Sequence, residues 1–237
     1  INHIIKKLNL KSGQRVLDIG CGWGGMAFEI AKQSQCEVKG ISLSENQIKY
    51  CKEKAKELNL NNQVRFELLD YRSVNSKFDR IVSIGAFEHF GKKFYKTFFK
   101  KVKNIMHDDG ICLLHTIGSV DKPGPIQPFI QKYIFPGGII PSLSEMMIPI
   151  EKTGLVLSDC ETLIHHYDKT LKAWLDRFME NKGKAKYLYN KEFVRMWEFY
   201  LSSCSAAFKF RDLVVYQLQL VKNFTAPPSN RRNYIYQ

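Results

Sequence analysis

Val16-Leu-Asp-Ile-Gly-Cys-Gly-Trp-Gly-Gly25 (VLDIGCGWGG) runs from a short apolar segment straight into four glycines, Gly20, Gly22, Gly24 and Gly25. The segment reads as a strand that ends in a tight turn, with a helix beginning behind it in WGGMAFEIAKQ. Glycines at such a turn let backbone N–H groups approach a ligand at a helix N-terminus. The same alternation continues downstream. CEVKGISL, QVRFELLD, FDRIVSIG and GICLLHTIG read as strands, and SENQIKYCKEKAKELN and FYKTFFKKVKNIM as the helices between them. The pattern predicts an α/β fold, a doubly wound and mostly parallel sheet covered by helices on both faces. Ser44 followed by Gln47 fits a capping box at the start of the second of these helices.

The chain has 237 residues, 44% of them hydrophobic, enough for one large domain with a substantial core. No apolar run approaches the roughly 20 residues that cross a bilayer, and INHIIKKLNL has none of the regions of a signal peptide. A soluble, cytoplasmic protein is therefore expected. Six cysteines stand at 21, 36, 51, 112, 160 and 204 without a CxxC pair, which predicts free thiols and neither a zinc site nor a disulfide framework. The formal charge of +13 points to an acidic partner, nucleic acid or an anionic membrane surface, or serves solubility alone. Nucleic acid is not expected, since the basic residues are dispersed and form no known binding module.

Between Ser119 and Gly154 the alternation gives way to a stretch holding six of the eight prolines, read as an ordered excursion at the strand ends. LVLSDCETLIHHY follows as a strand candidate, then helices over about 169–186 and 190–208, the closing strand DLVVYQLQLV, and TAPPSNRRNYIYQ as a loosely packed end.

Bare glycine spacing also occurs in nicotinamide enzymes. The acid inside the motif, Asp18, favours the version that LDIGCGWG resembles, that of the S-adenosylmethionine (AdoMet) methyltransferases. An acid at the end of the second strand, which in many of them holds the ribose, is missing. Ser42, Ser44 and Gln47 would supply the polar contacts, with Trp23 beside the loop. The end of the third strand offers Asp70 for the adenine amino group and Tyr71 for stacking, with a turn cap as the lesser reading of Asp70.

VLDIGCGWGG, SLSENQ, FDRIVSIGAFEHFG, LLHTIG, KYIFPGG, HYDKTLKAW and CSAAFKFRD occur in this order between about Leu10 and Leu220. Together they closely resemble the catalytic domain of the cyclopropane-fatty-acyl-phospholipid synthases, a family that includes the mycolic acid cyclopropane synthases. The resemblance implies a single catalytic domain over 1–237 with the seven-stranded sheet of the class I AdoMet methyltransferases. Residues 119–153 and 168–209 would be insertions covering a lipid site, and an upstream helical segment would be absent from this chain. It also implies transfer of a methylene group from AdoMet to a cis double bond of a membrane phospholipid, with bound bicarbonate deprotonating the carbocation. The bicarbonate cradle carries over to Cys21, Glu88, His115, the backbone of Ile117 and Tyr167. Cys204, which on helical spacing alone is a buried core thiol, moves toward the lipid channel. Trp23, Tyr133, Phe135, Tyr167 and Phe208 are candidates for stabilising the cation.

A carboxylate facing an anion needs a proton between them, so ionised Glu88 is expected to accept the bicarbonate O–H while His115 and Tyr167 donate. His89 reads as local support through a backbone hydrogen bond. A metal at Glu88 and His89 lacks further ligands and is not expected. The lysines of GKKFYKTFFKKVKNIM read either as the solvated face of a sheet-packing helix or as a docking face for anionic phospholipid, with peripheral attachment to the inner side of the membrane. A homodimer is allowed. Two other enzyme readings keep the fold: N-methylation of a small amine, as in the coclaurine-type enzymes, and fatty-acyl C-methylation without ring closure.

Overall fold

A short helix α1 (Asn2–Leu8) precedes β1 (Arg15–Ile19), α2 (Gly25–Gln33), β2 (Glu37–Ser42), α3 (Glu45–Glu57) and β3 (Val64–Leu68). After a 3-10 turn at Tyr71–Ser73 come β4 (Phe78–Ile84), α4 (Tyr95–Ile105) and β5 (Met106–Ser119). The remainder is α5 (Pro128–Tyr133), α6 (Leu143–Thr153), β6 (Val156–Leu163), α7 (His166–Glu180), α8 (Lys182–Leu188), α9 (Lys191–Phe210), β7 (Leu213–Val221) and α10 (Asn233–Tyr236). This computed structural model describes residues 1–227 and 232–236.

The seven strands lie in the order β3-β2-β1-β4-β5-β7-β6. Neighbouring strands are parallel except β7, which is antiparallel to both β5 and β6. Alternate residues of the central strands feed opposite faces. Leu17, Ile19 and Ile81 pack with α4 and α6, whereas Val16 and Val82 pack with α1, α2 and α3. The aromatic stripe of α4 (Tyr95, Phe98, Phe99, Val102, Ile105) is wholly buried on the sheet, so the helix is a core element with its lysines turned outward.

Four expectations change in the fold. Residues 119–153 are not all cover: α6 buries Met146 and Ile150 against the sheet beside α4, and its start carries a complete capping box between Ser142 and Glu145. The strand expected over 155–167 stops at Leu163, which places Tyr167 in the first turn of α7. The helix expected over 169–186 breaks at Asn181 into α7 and α8. With α9 these form a layer that has its own apolar cluster, including Leu171, Tyr200, Leu201, Phe208 and Val215. The expected loose end is also partly wrong. Residues 228–231 and 237 lie outside the described residues, but α10 packs against α1 with Ile235 buried, and Arg232 grips Asp159.

Lys7 is the other surprise: a lysine of α1 that is only 1% exposed. Its Nζ lies 2.5 Å from Glu161 Oε2 and 3.8 Å from Asp159 Oδ2, both on β6, and its carbonyl accepts from Gln219 Nε2 at 2.8 Å. Burial pushes the Glu161 carboxyl up, but hydrogen bonds from His3 and Lys7 outweigh it and hold the group at about 2. Because that value is below the ordinary one near 4.5, the pair's stabilisation is present above pH 4.5 and drains as pH falls toward 2. Lys7→Met is expected to cost about 2–3 kcal/mol at pH 7, near the low end for breaking a buried pair. Urea titrations between pH 2 and 7 should show a shallower acid slope in the variant.

Candidate active site

The turn after β1 bends through three glycines with positive φ, Gly20 at 76°, Gly22 at 54° and Gly24 at 81°. A Cβ on Gly20 would sit 2.5 Å from the Ala86 Cβ, so the loop rests directly on the turn that follows β4. On the outer side a Cβ at Gly22 or Gly25 would meet nothing within 4 Å, leaving open space before the N–H groups that begin α2. Asp18 is buried in β1 below this loop. Its Oδ2 has no hydrogen-bond partner among the described residues, and burial pushes its carboxyl up to about 7. Trp23 stands exposed at the rim, edge-on to Tyr50 with ring centroids 5.3 Å apart.

At the end of β2, Ser42 Oγ donates to Gln47 Oε1 at 2.8 Å and accepts the Ser44 N–H at 3.2 Å. Ser44 Oγ accepts the Gln47 N–H at 3.4 Å. Only this half of the expected capping box forms, because the Gln47 side chain turns to Ser42 rather than back to Ser44. Asp70 caps the turn at Tyr71–Ser73, taking the Arg72 N–H at 2.8 Å, and both its oxygens hold the Arg72 guanidinium. That pairing keeps the Asp70 carboxyl below the usual carboxylate range. Tyr71 is buried between Phe90 and Phe98, so its ring belongs to the core and offers no free face for stacking.

Beyond β4 a 3-10 turn, Phe87–His89, carries Glu88. Phe87 pins the turn by stacking on Tyr95 with centroids 4.3 Å apart. Glu88 Oε1 accepts the Ile117 N–H at 2.7 Å, and its carbonyl accepts the Ile139 N–H at 2.8 Å. Oε2 is buried without a hydrogen-bond partner among the described residues, the neighbouring Thr116 hydroxyl donating instead to the Ile117 carbonyl, and burial raises the carboxyl above its ordinary value despite the opposing N–H groups and the Thr116 hydroxyl. Tyr167 lies within the reach of this charge: burial first, and Glu88 second, raise its phenol. His115, two residues before Ile117 on β5 and therefore on the same face, receives the Gln217 Nε2–H on Nδ1 at 3.1 Å. Burial, then the nearby Lys7 charge, push the imidazole down to about 4. His115 is thus neutral at pH 7, with its proton on Nε2.

A family model described as mycolic acid cyclopropane synthetase matches residues 1–218. The chain belongs to this family. It is 42% identical over 215 residues to the cyclopropane-fatty-acyl-phospholipid synthase of Escherichia coli strain K12, covering 91% of this chain and 55% of that protein. The chain thus spans about half the length of that relative. Among solved structures it resembles the cyclopropane synthase MmaA2 from Mycobacterium tuberculosis, with a TM-score of 0.86 and 33% identity over 92% of this chain and 82% of that one. The mycolic acid cyclopropane synthase CmaA1, solved with SAH and CTAB, gives a TM-score of 0.83 and 32% identity over 90% and 80% of the two chains.

In this cyclopropane synthetase fold the residues read from sequence divide. Ile117, Tyr167, Cys204 and Phe208 meet in one apolar cluster under α7 and α9, with Tyr167 stacked on Phe208 at 5.0 Å. Cys21 does not join them. Its thiol turns toward Cys51 and the Gly22 carbonyl in the cluster on the other face of the sheet, since the positive-φ glycines on either side swing the residue that way. The Ile117 N–H, expected to face an anion, is already taken by Glu88. Burial pushes the Cys204 thiol up to about 11, which keeps it protonated and argues against a nucleophile. The His89 ring lies edge-on to Phe135, and the main-chain N–H of the residue bonds the Ala86 carbonyl.

Sequence reading missed Gln217. The signal was present, in two glutamines spaced two apart within the apolar strand VVYQLQLV, where Gln217 and Gln219 are both buried. Imidazole 15N spectra at pH 7 should show His115 protonated on Nε2 alone. Gln217→Glu, which places an acceptor against Nδ1, should move the proton to Nδ1 and raise the titration midpoint well above 4.

Proposed function

We propose that the protein is an AdoMet-dependent lipid methyltransferase that forms a cyclopropane ring on a cis double bond of an unsaturated phospholipid acyl chain, with bicarbonate as the base. The observation that carries this reading is the orphaned Glu88 Oε2, buried at the end of the strand pair that carries the neutral His115 and within reach of the Tyr167 phenol. A buried carboxylate oxygen with no partner calls for an O–H donor, and a planar anion with one O–H and free oxygens for two donors matches that need. The AdoMet site fits on equal terms: an open glycine turn at a helix N-terminus, an unpartnered Asp18 below it, and the Ser42–Gln47 pair at the end of β2.

Glycines 20, 22, 24 and 25 with Asp18, Trp23, Ser42, Ser44, Gln47 and Asp70 would hold AdoMet, which when bound supplies an electrophilic methyl group. Glu88 would orient bicarbonate through the shared proton while His115 Nε2–H and the Tyr167 O–H donate to the anion's other oxygens. The cluster of Ile117, Phe208, Cys204 and Tyr200 would exclude water from the acyl chain. The faces of Tyr167 and Phe208 would stabilise positive charge on that chain, each by about 0.5–2 kcal/mol. The π electrons of the alkene would form the new bond to the methyl carbon as its bond to the sulfonium sulfur breaks, the electron pair leaving with S-adenosylhomocysteine. Loss of a proton from that carbon to bicarbonate would then supply the pair that closes the ring. Relatives named as cyclopropane synthases support ring closure over simple methylation. Among the described residues no helix is long and apolar enough to cross a membrane. The reading includes peripheral attachment at an anionic, cytoplasm-facing membrane surface, to which the net charge of +13 is suited.

Glu88→Gln is expected to keep AdoMet affinity within about twofold by calorimetry while lowering lipid turnover at least about a hundredfold. Mass spectrometry of the phospholipids should show gain of one methylene and loss of the double bond. With the Glu88 carboxyl raised, wild-type turnover should fall on acidification at a pH above the ordinary carboxylate range. Unchanged turnover in the variant with bicarbonate present would overturn the assignment.

A further inference from the structure

Helices α7 and α9 pack along one another and are joined at their far end by α8, a helix of seven residues with no buried side chain. Its sequence, KGKAKYL, holds three lysines, 182, 184 and 186, and no acid; all three are exposed. The next side chains are large and stand in water: Tyr187 is 90% exposed, Leu188 71% and Tyr189 65%. Such a run contributes nothing to the core and leaves apolar surface hydrated, which marks an interaction site.

The tip is also joined to the candidate active site. Tyr189 stacks on Phe193 at 4.3 Å, Phe193 on Trp197 at 5.7 Å, and Trp197 meets Tyr200 at 5.2 Å. Tyr200 lies in the cluster that holds Cys204 and Tyr167. A line of aromatic rings therefore leads from the exposed tip along α9 to the cluster that holds Tyr167 and Cys204. The basic face of α4 differs, because all its large apolar side chains are already buried and only charge remains outside.

We propose that α8 and the Tyr187–Tyr189 tip in which it ends form the surface by which this protein docks on an anionic membrane. Lysines at the level of the lipid headgroups are drawn to anionic lipid, while tyrosine with its apolar body and polar end settles at the same depth. A protein partner fits less well, since Lys is depleted from protein interfaces. The inference rests on the proposed lipid activity and assigns its membrane contact to one element.

Vesicles of phosphatidylglycerol and phosphatidylcholine with unsaturated chains provide the probe. The wild-type protein should co-sediment with them in a salt-sensitive way. Exchange of Lys182, Lys184 and Lys186 for Gln should weaken binding about a hundredfold, and Tyr187→Ser with Leu188→Ser should weaken it at any salt concentration. Both variants should turn over detergent-dispersed phospholipid at the wild-type rate. Wild-type vesicle binding by both variants would overturn the inference, as would loss of activity in detergent or a change in self-association by ultracentrifugation. If the wild-type protein turns over no phospholipid in either form, the proposed function fails instead.

Discussion

The hydrogen bond from the Ile117 N–H to Glu88 Oε1, 2.7 Å long, ties together the parts on which the site depends. Glu88 lies just past β4, Ile117 near the end of β5, and the Glu88 carbonyl takes the Ile139 N–H from the proline-rich excursion. One residue thus joins two strand ends and the segment that folds over them. Burying a carboxylate here is costly, and the bond to Ile117 satisfies only half of it. The turn is held from below by Phe87 stacked on Tyr95, so the strain of that half-satisfied group is met by aromatic packing in the core.

Behind this centre a polar row crosses the sheet on one face. His115 of β5 faces Gln217 of β7, which in turn faces Glu161 of β6, and Glu161 receives Lys7 from α1. Buried polar groups persist when each finds a partner, and the row is nearly complete: Gln217 gives its N–H to His115 while its Oε1 is left unpartnered among the described residues. The arrangement fixes one tautomer of His115, and the Lys7 charge disfavours a second proton on the ring. The N-terminal helix thereby acts on the chemistry of a strand it does not adjoin in sequence.

The architecture was legible in the sequence because local patterns specify it. Runs of apolar residues bounded by Gly and Asp set the strands, the stripe in FYKTFFKKVKNIM set α4, and glycines at fixed offsets after VLDI set a turn that few other residues tolerate. Motif order singled out Glu88, His115, Tyr167 and Cys204, whose roles stand as proposals. What failed were matters of direction and partnership. Cys21 sits inside the most distinctive motif, yet positive φ on both sides points its thiol at Cys51. Tyr71 follows a strand end as a stacking residue should, but Phe90 and Phe98 arrive from distant segments to enclose it.

By itself the sequence determined the doubly wound sheet and the glycine turn, since hydrophobic periodicity and backbone permissiveness are properties of neighbouring residues, and its ordered motifs carried the resemblance to the family. Only the tertiary structure decided which Glu88 oxygen is free, that Gln217 orients His115, that Lys7 is buried, and that α8 carries an exposed basic and aromatic tip. Those facts depend on contacts across 29 to 102 or more residues of chain, as between Glu88 and Ile117 or His115 and Gln217. No local pattern encodes where such partners meet, because each side chain's direction is set by the packing of the segment it meets.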